Sequence, residues 1–242
     1  MYGNVNNLDH VRSVKEGASL PFVMGAVLTE NNRLVSGPLL FTKRDSAVLF
    51  SRMKRMSPKM KKLGMALNSG NGGRREWATM KLARIGEKAS PLLSLTLAHG
   101  DPMARAASAE AYCRMVRLDI TDSVSCELSV AVQDEAPYVR WRAIAEISKM
   151  GPKASRLIKQ LFDGLNDQSD LVRAQAAKAI AATYKVPRKG YRYQEDIHDL
   201  KESITKENDR YTRGEMCIAL AKVETENDRF NTKCLRTLGF KA

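Results

Sequence analysis

The fold is decided by the stretch VRWRAIAEISKMGPKASRLIKQLFDGLND, residues 139–167. Its first half predicts an amphipathic helix, because apolar residues recur there three and four positions apart: Ala143, Ile144, Ile147 and Met150. Gly151-Pro152 then ends that helix, since glycine fits the left-handed position after a helix and proline can begin the next one. The second half predicts another helix, whose apolar face consists of Ala154, Leu157, Ile158, Leu161 and Leu165. The stretch therefore predicts one unit of helix, turn and helix.

Related stretches occur on both sides of this unit. RREWATMKLARIGEKASPLLSLTLAHGD (residues 74–101) precedes it, and VRAQAAKAIAATY (residues 172–184) follows it. Lys-Ala-Ser recurs at residues 88–90 and 153–155, each time two residues after a glycine. One arginine marks the start of each copy, at intervals of 30, 35, 33 and 40 residues: Arg75, Arg105, Arg140, Arg173 and Arg213. Periods of this size are typical of stacked units that are each too small to bury their own apolar face.

The predicted fold is therefore all-α, an α-solenoid of four to five helix pairs. The repeat domain is assigned to residues 74–242, and no strand is expected from residue 74 to about residue 223. Residues 1–73 form a basic N-terminal extension in this division. Within the extension, two apolar runs flank Glu-Asn-Asn-Arg (residues 30–33), which indicates a possible β-hairpin, and a helix is expected after it. A short hairpin is barely stable alone, so the extension is expected to dock on the solenoid or on a partner.

The repeats resemble the HEAT-like (armadillo-type) family, especially the short variety found in bilin-lyase subunits. The resemblance depends on Asp134 and Asp167, on the Val-Arg pairs at residues 139–140 and 172–173, on the alanine-rich first helices and on the glycine turns. It implies a ladder of aspartate and arginine between neighbouring repeats. Arg140 and Arg173 are accordingly expected to pair with Asp134 and Asp167 as structural residues. Such a resemblance predicts the fold and says little about function.

Positive charge is concentrated in two places. The net charge is +13, and most of it lies in the first 75 residues. One basic cluster follows the predicted hairpin, and a second cluster with interleaved tyrosines falls in the longest interval between repeats, where it predicts an inserted loop. The predicted partner-binding residues of the two clusters are Lys54, Arg55, Lys59, Lys61, Lys62, Lys185, Arg188, Lys189, Tyr191, Arg192 and Tyr193.

These clusters admit three interpretations. They could be a solvated face that only aids solubility, or they could bind an acidic protein by charge complementarity. They could also bind nucleic acid, because lysine and arginine release counterions from phosphates and tyrosine stacks on bases. At its enzymatic extreme, the third interpretation is an alkylpurine DNA glycosylase, since some of those enzymes use HEAT-like repeats. A bilin-lyase-like accessory protein is a further alternative that the resemblance implies.

No catalytic, metal or cofactor site is predicted. The chain contains no P-loop, G-x-S-x-G or H-E-x-x-H motif, its four cysteines form no C-x-x-C pair, and its three histidines are scattered. Buried positions are expected for Cys113 and Cys217, an outward one for Cys126, and packing between repeats for Trp77 and Trp141. The sequence shows no membrane span and no signal peptide, so an intracellular location is expected, in the cytoplasm or an organelle interior.

The predicted function is therefore that of a non-catalytic scaffold or adaptor. It would mediate protein–protein interactions within a multi-subunit assembly and would bind a partner that carries acidic residues.

Overall fold

The computed structural model describes residues 27–28, 34–35, 43–121, 125–184 and 193–237. Two short strands, β1 and β2, pair antiparallel with Val27 opposite Val35 and Leu28 opposite Leu34. The strands and helices are β1 (Val27–Leu28), β2 (Leu34–Val35), α1 (Lys43–Met53), α2 (Pro58–Leu67), α3 (Gly72–Ile85), α4 (Ser90–His99), α5 (Pro102–Arg117), α6 (Ser125–Ala131), α7 (Pro137–Ser148), α8 (Ile158–Asp163), α9 (Asp170–Thr183), α10 (Tyr193–Lys206) and α11 (Arg210–Thr237).

Helix starts follow the local sequence. Asn71 and Asp101 are the N-caps of α3 and α5, and each side chain accepts a hydrogen bond from the backbone N–H three residues later, at 2.9 Å. Such caps satisfy N–H groups that have no partner within the helix. Prolines at the first or second position also begin α2, α4, α5 and α7. Short polar residues and prolines therefore set where these helices begin.

Glycines end two of the first helices. Gly86 and Gly151 have φ angles of 71° and 55°, in the left-handed region that a side chain disfavours. After each glycine the chain forms a 3₁₀ turn, Gly86–Ala89 and Gly151–Leu157, before the second helix starts. The predicted second helix of the quoted unit is thus partly 3₁₀, and only Ile158–Asp163 is α-helical. Its expected apolar face is buried or half-buried throughout, so the burial prediction is confirmed.

First helices make up the central row of the stack. α5 packs against α3 and α7, and α9 packs against α7 and α11. The second helices α4, α8 and α10 each pack against the first helix that follows them. Alanines make this close approach possible, because Ala78, Ala109, Ala143, Ala176 and Ala219 are all completely buried on the row. The predicted stack of four to five helix pairs is confirmed, with four pairs followed by α11.

The helical part of the N-terminal extension packs on the repeats. Leu49 and Met53 of α1, together with Leu63 and Leu67 of α2, are buried in the same apolar cluster as the repeat helices. α1 contacts α4, and α2 contacts α3, α4 and α5. The basic residues on α2 are therefore held at a fixed position against the end of the stack.

Two expectations about segment types can be compared with the structure. Within residues 74–121, 125–184 and 193–223, every regular element is helical and no strand occurs. The short pair of strands lies where the hairpin was expected, on either side of residues 29–33.

Among the described helices, none is both long enough and apolar enough to cross a membrane.

Candidate functional site

An arginine at the fourth position of each repeat's first helix fixes the loop before that helix. Each of the five guanidinium groups donates a hydrogen bond to a backbone carbonyl five or six residues earlier. Arg140, for example, reaches the carbonyl oxygens of Asp134 and Glu135 at 2.8 and 3.0 Å. The equivalent donors are Arg75, Arg105, Arg173 and Arg213. The regularity of the arginines in the sequence thus reflects one repeated loop geometry.

The carboxylates of the ladder come from the loop of the following repeat. Arg140 forms a two-point ion pair with Asp167, with N–O distances of 2.6 and 2.7 Å. Asp134, which was expected to pair with Arg140 or Arg173, instead accepts from Arg105 at 2.8 Å through both of its oxygens. The sequence-based pairing was therefore wrong for Asp134, and Arg105, Arg140 and Arg173 each bridge forward to the loop of the next repeat.

The last rung of the ladder uses a glutamate that sequence analysis missed. Arg173 binds both carboxylate oxygens of Glu207, at 2.6 and 2.9 Å. Arg173 also holds the pKa of that carboxyl below its ordinary value. The sequence did not indicate Glu207 for two reasons. It follows the longest interval between repeats, and it is a glutamate at the position where the earlier repeats have aspartate. The side chain is almost completely buried, so its charge depends on the guanidinium.

The first basic cluster lies at one end of the stack. Lys54 and Arg55 are exposed in the turn between α1 and α2, and Lys59 and Lys62 are exposed on α2 itself. Lys61 is half-buried, because it lies against α3. The structure therefore brings Lys61 and Lys62 into one site and leaves the other three cations on the adjoining surface.

A groove of about 620 Å³ lies between α2 and the start of α3. It combines three cations with two large side chains that are exposed to solvent, Met65 and Trp77. We call this feature the basic groove, and its lining consists of Pro58, Lys61, Lys62, Met65, Ala66, Ser69, Arg74 and Trp77. Sequence analysis had placed Arg74 and Trp77 in the regular scaffold, so their part in a groove is new.

The linker between α2 and α3 determines the shape of this groove. Although residues 68–73 are rich in glycine, asparagine and serine, several hydrogen bonds hold them. The Asn68 amide donates to the carbonyl of Gly64 at 2.9 Å, and the Arg75 guanidinium donates to the carbonyl of Ser69 at 2.6 Å. Asn71 caps α3. The groove walls are therefore joined by a fixed turn.

The cations of the basic groove are available to a ligand. In the part of the chain that the structure describes, no carboxylate forms an ion pair with Lys61, Lys62 or Arg74. Trp77 is 39% exposed, contrary to its expected packing between repeats, whereas Trp141 packs against the core as expected. An exposed tryptophan and methionine among unpaired cations can bury apolar surface while they attract negative charge.

The second basic cluster lies between α9 and α10, at the predicted insertion. Its members Lys185, Arg188, Lys189, Tyr191 and Arg192 lie outside the described residues. Tyr193 begins α10, but its side chain also lies outside the description. Of the two predicted clusters, the first, which includes part of the basic groove, is therefore the one whose side-chain positions the structure describes.

The described thiols and carboxylates differ widely in their surroundings. Burial raises the pKa of the Cys113 thiol well above its ordinary range, so the thiolate is disfavoured. Cys126 is exposed as expected, whereas Cys217 is also exposed and its predicted burial was wrong. Burial also raises the pKa of Asp196 to about 6, although the Tyr184 hydroxyl donates to it at 2.9 Å. No group of side chains able to hold a metal ion occurs among the described residues.

Comparison with known proteins identifies the type of repeat. Residues 127–221 match the family model of HEAT repeats, which confirms the resemblance inferred from the sequence. Among solved structures, the chain is similar to one in the complex of CpcE and CpcF of phycocyanin lyase from Nostoc sp. PCC7120. The identity is 20% and the TM-score 0.52, and the similarity covers 66% of this chain and 96% of that one. No curated protein matches the chain.

Proposed function

Because the chain is built from HEAT-like repeats, we propose that it acts by binding another protein within a larger assembly. In this proposal the helical stack is a rigid scaffold, and the basic groove is its main contact site. The partner presents acidic side chains next to an apolar one. Lys61, Lys62 and Arg74 attract the acidic groups, and Trp77 with Met65 buries the apolar group.

One observation carries this proposal, namely the combination of free cations and exposed apolar side chains on a fixed frame. A solvated face would need only the lysines, and it would gain nothing from a tryptophan exposed among them. Tryptophan, methionine and arginine are enriched in protein interfaces. The capped and hydrogen-bonded linker lowers the entropic cost of binding, because the backbone of the groove does not have to order.

The structural comparison supports a role in a complex. The similar chain belongs to a complex of two lyase subunits, CpcE and CpcF. Repeat proteins of this shape offer extended surfaces that suit other proteins. We propose on this basis that the partner of the present chain is itself a protein subunit.

We propose further that the chain contributes binding and no chemistry of its own. Cys113 is buried with a raised thiol pKa, which makes it unreactive. Asp196 is the one described carboxyl with a pKa raised to about 6, and it lies on α10 away from the residues that line the basic groove. Neither group therefore serves the groove as a catalyst.

The class of partner can be tested directly. The tagged chain would be purified at low salt, with and without nuclease treatment, and the retained material would be identified. We expect one or more protein subunits to be retained equally in both preparations. Retention of nucleic acid alone, with all protein lost after nuclease, would overturn the proposal in favour of nucleic-acid binding.

A separate assay tests the absence of chemistry. The purified chain would be incubated with DNA that contains alkylated purines, and released bases would be measured. We expect no release above the rate without protein. Release that Asp196→Asn abolishes would instead identify the chain as a glycosylase.

A further inference from the structure

Four consecutive first helices carry an exposed apolar side chain at the same position. The segments PMAR, PYVR, DLVR and RYTR begin α5, α7, α9 and α11. Their third residues are buried and their fourth residues are the loop-binding arginines. Their second residues are instead 43 to 64% exposed. We call these four second-position residues the apolar stripe: Met103, Tyr138, Leu171 and Tyr211.

The apolar stripe crosses the row of first helices. α5, α7, α9 and α11 pack side by side, so equivalent positions on them lie next to one another. About two turns further along, α5 and α7 carry carboxylates beneath cations, because Glu110 is seven residues after Met103 and Glu146 is eight residues after Tyr138. Glu110 accepts hydrogen bonds from Arg114 and Arg142 at 2.6 to 2.9 Å, and Glu146 accepts one from Lys149 at 2.6 Å.

The outer layer of this charged network is positive. Glu110 and Glu146 are only 6% and 1% exposed, whereas the cations that cover them are 26 to 51% exposed. Arg114 and Arg142 hold the pKa of Glu110 below its ordinary value against the effect of burial, which would raise it. Both carboxylates therefore lie beneath the surface, and the cations are the exposed part of these ion pairs.

The apolar stripe and the cations lie on one continuous face. Tyr138 and Arg142 are four residues apart on α7, and Leu171 and Lys178 are seven residues apart on α9, so each pair shares one side of its helix. Lys178 lies 5.0 Å above the ring of Tyr211 on α11, which joins the neighbouring repeats. The acids of this face that are more exposed, Glu76 and Glu215, are paired with Arg114 and Lys178.

We propose that this face binds an acidic amphipathic helix of a partner protein, laid across the row of first helices. The inference rests on the proposal that the chain binds protein, and it adds a second contact surface beside the basic groove. Neighbouring packed helices lie roughly 8–10 Å apart, so the side chains of the apolar stripe have about that spacing. Residues seven apart in a helix are separated by about 10.5 Å, which is close to the spacing of the side chains in the apolar stripe.

A helix fits this face better than an extended segment does. A helix is about 10–12 Å wide with its side chains, so it covers the apolar stripe together with Arg142 and Lys178, which lie about 6 and 10.5 Å further along their helices. A single extended strand is about half as wide and would leave one of the two uncovered. Four positions of the apolar stripe correspond to a bound helix of about 20 residues.

Peptide binding to the full chain tests the inference. The probe is a synthetic helical peptide of about 21 residues with leucine at every seventh position and glutamate and alanine elsewhere. Its controls are a peptide with the same composition in scrambled order and one with lysine in place of glutamate. Leu171→Ser combined with Tyr211→Ser removes half of the apolar stripe. Phe50→Ser combined with Ile120→Ser removes two exposed apolar side chains elsewhere.

We expect the probe to bind and both control peptides to bind at least 10-fold more weakly. The Leu171/Tyr211 variant should lose at least 10-fold in affinity, and the Phe50/Ile120 variant should not change. Equal binding of the scrambled peptide, no binding of the probe, or an unchanged Leu171/Tyr211 variant would overturn the inference. Loss of native partner binding on charge reversal at Lys61, Lys62 and Arg74, without loss in the Leu171/Tyr211 variant, would leave the proposed function standing and reject this second surface.

Discussion

At the scale of single residues, the arginine ladder is expected to stabilise the fold. Replacing Arg140 or Arg173 with alanine leaves Asp167 or Glu207 without its guanidinium and frees two loop carbonyls. Because these carboxylates are at least nine-tenths buried, the free energy of unfolding should fall by about 1–3 kcal/mol. Chemical denaturation of each variant measures this change.

A matched control separates the ladder from a general effect of lost charge. Arg156 is exposed on the 3₁₀ turn Gly151–Leu157, so Arg156→Ala should change stability by less than about 0.5 kcal/mol. Unchanged stability in Arg140→Ala and Arg173→Ala, together with loss of partner binding, would reassign these residues from structure to binding site.

Asp196 is expected to give the stability curve a distinctive pH dependence. Its folded pKa of about 6 lies above the ordinary value of 3.8, so the folded carboxyl holds its proton more tightly than the unfolded one. The stability that the protonated Asp196 carboxyl contributes to the folded state is therefore fully present below about pH 4 and is lost as the pH rises through about 6. The total loss is roughly 3 kcal/mol at most.

The variant Asp196→Asn isolates this effect. Its amide oxygen can still accept the Tyr184 hydroxyl, but it does not ionise. The stability of Asp196→Asn relative to the unmodified chain should therefore rise between pH 4 and pH 7. Identical pH profiles for the two proteins, measured by denaturation at each pH, would show that the carboxyl is not held in this environment.

At the scale of the helices and turns, the two glycines should differ in how well they tolerate a side chain. Both have positive φ, and Gly86 also has a ψ of −142°, a combination that is almost restricted to glycine. A Cβ at Gly151 would lie 3.9 Å from the carbonyl oxygen of Ala182, an ordinary contact, whereas one at Gly86 would lie 2.6 Å from Ile120. Gly86→Ala should therefore lower thermal stability more than Gly151→Ala does.

A double variant tests the cause of that difference. Combining Gly86→Ala with Ile120→Ala removes the clash, so the part of the loss at Gly86 that the clash causes should disappear, while the backbone strain remains. If the double variant is as unstable as the sum of the two single changes, the contact with Ile120 does not explain the difference.

The sequence predicted the elements well because their signals are local. Gly86 and Gly151 end helices through their own backbone freedom, and the apolar spacing around Ile144 depends on one helix alone. The pairing of the ladder was mispredicted because it depends on how far apart successive loops lie in space. Glu207, for example, is 34 residues from Arg173, and only the packing of α9 against α11 brings them together.

At the scale of the whole molecule, the sequence indicates only part of the proposed contact surface. The density of charge indicated Lys61 and Lys62, because clustered lysines are visible in the sequence. The sequence did not indicate that Arg74 and Trp77 share their groove, since those residues look like ordinary members of the first repeat. Likewise, the apolar stripe is visible only once the four first helices are known to lie side by side.

One affinity measurement tests whether the basic groove binds a protein partner. The purified partner from the nuclease-treated preparation would be titrated against three forms of the full chain. These are the unmodified chain, a variant with Lys61, Lys62 and Arg74 reversed to glutamate, and a control with Lys88, Arg156 and Lys159 reversed to glutamate. All three control residues are exposed, and both triple variants change the net charge equally.

We predict that the groove variant loses at least 10-fold in affinity and that its binding depends less on salt than that of the unmodified chain. The control should bind within about two-fold of the unmodified chain, because only charges near the contact matter at physiological ionic strength. Equal affinities for the groove variant and the control would contradict the account and leave these cations as a solvated face.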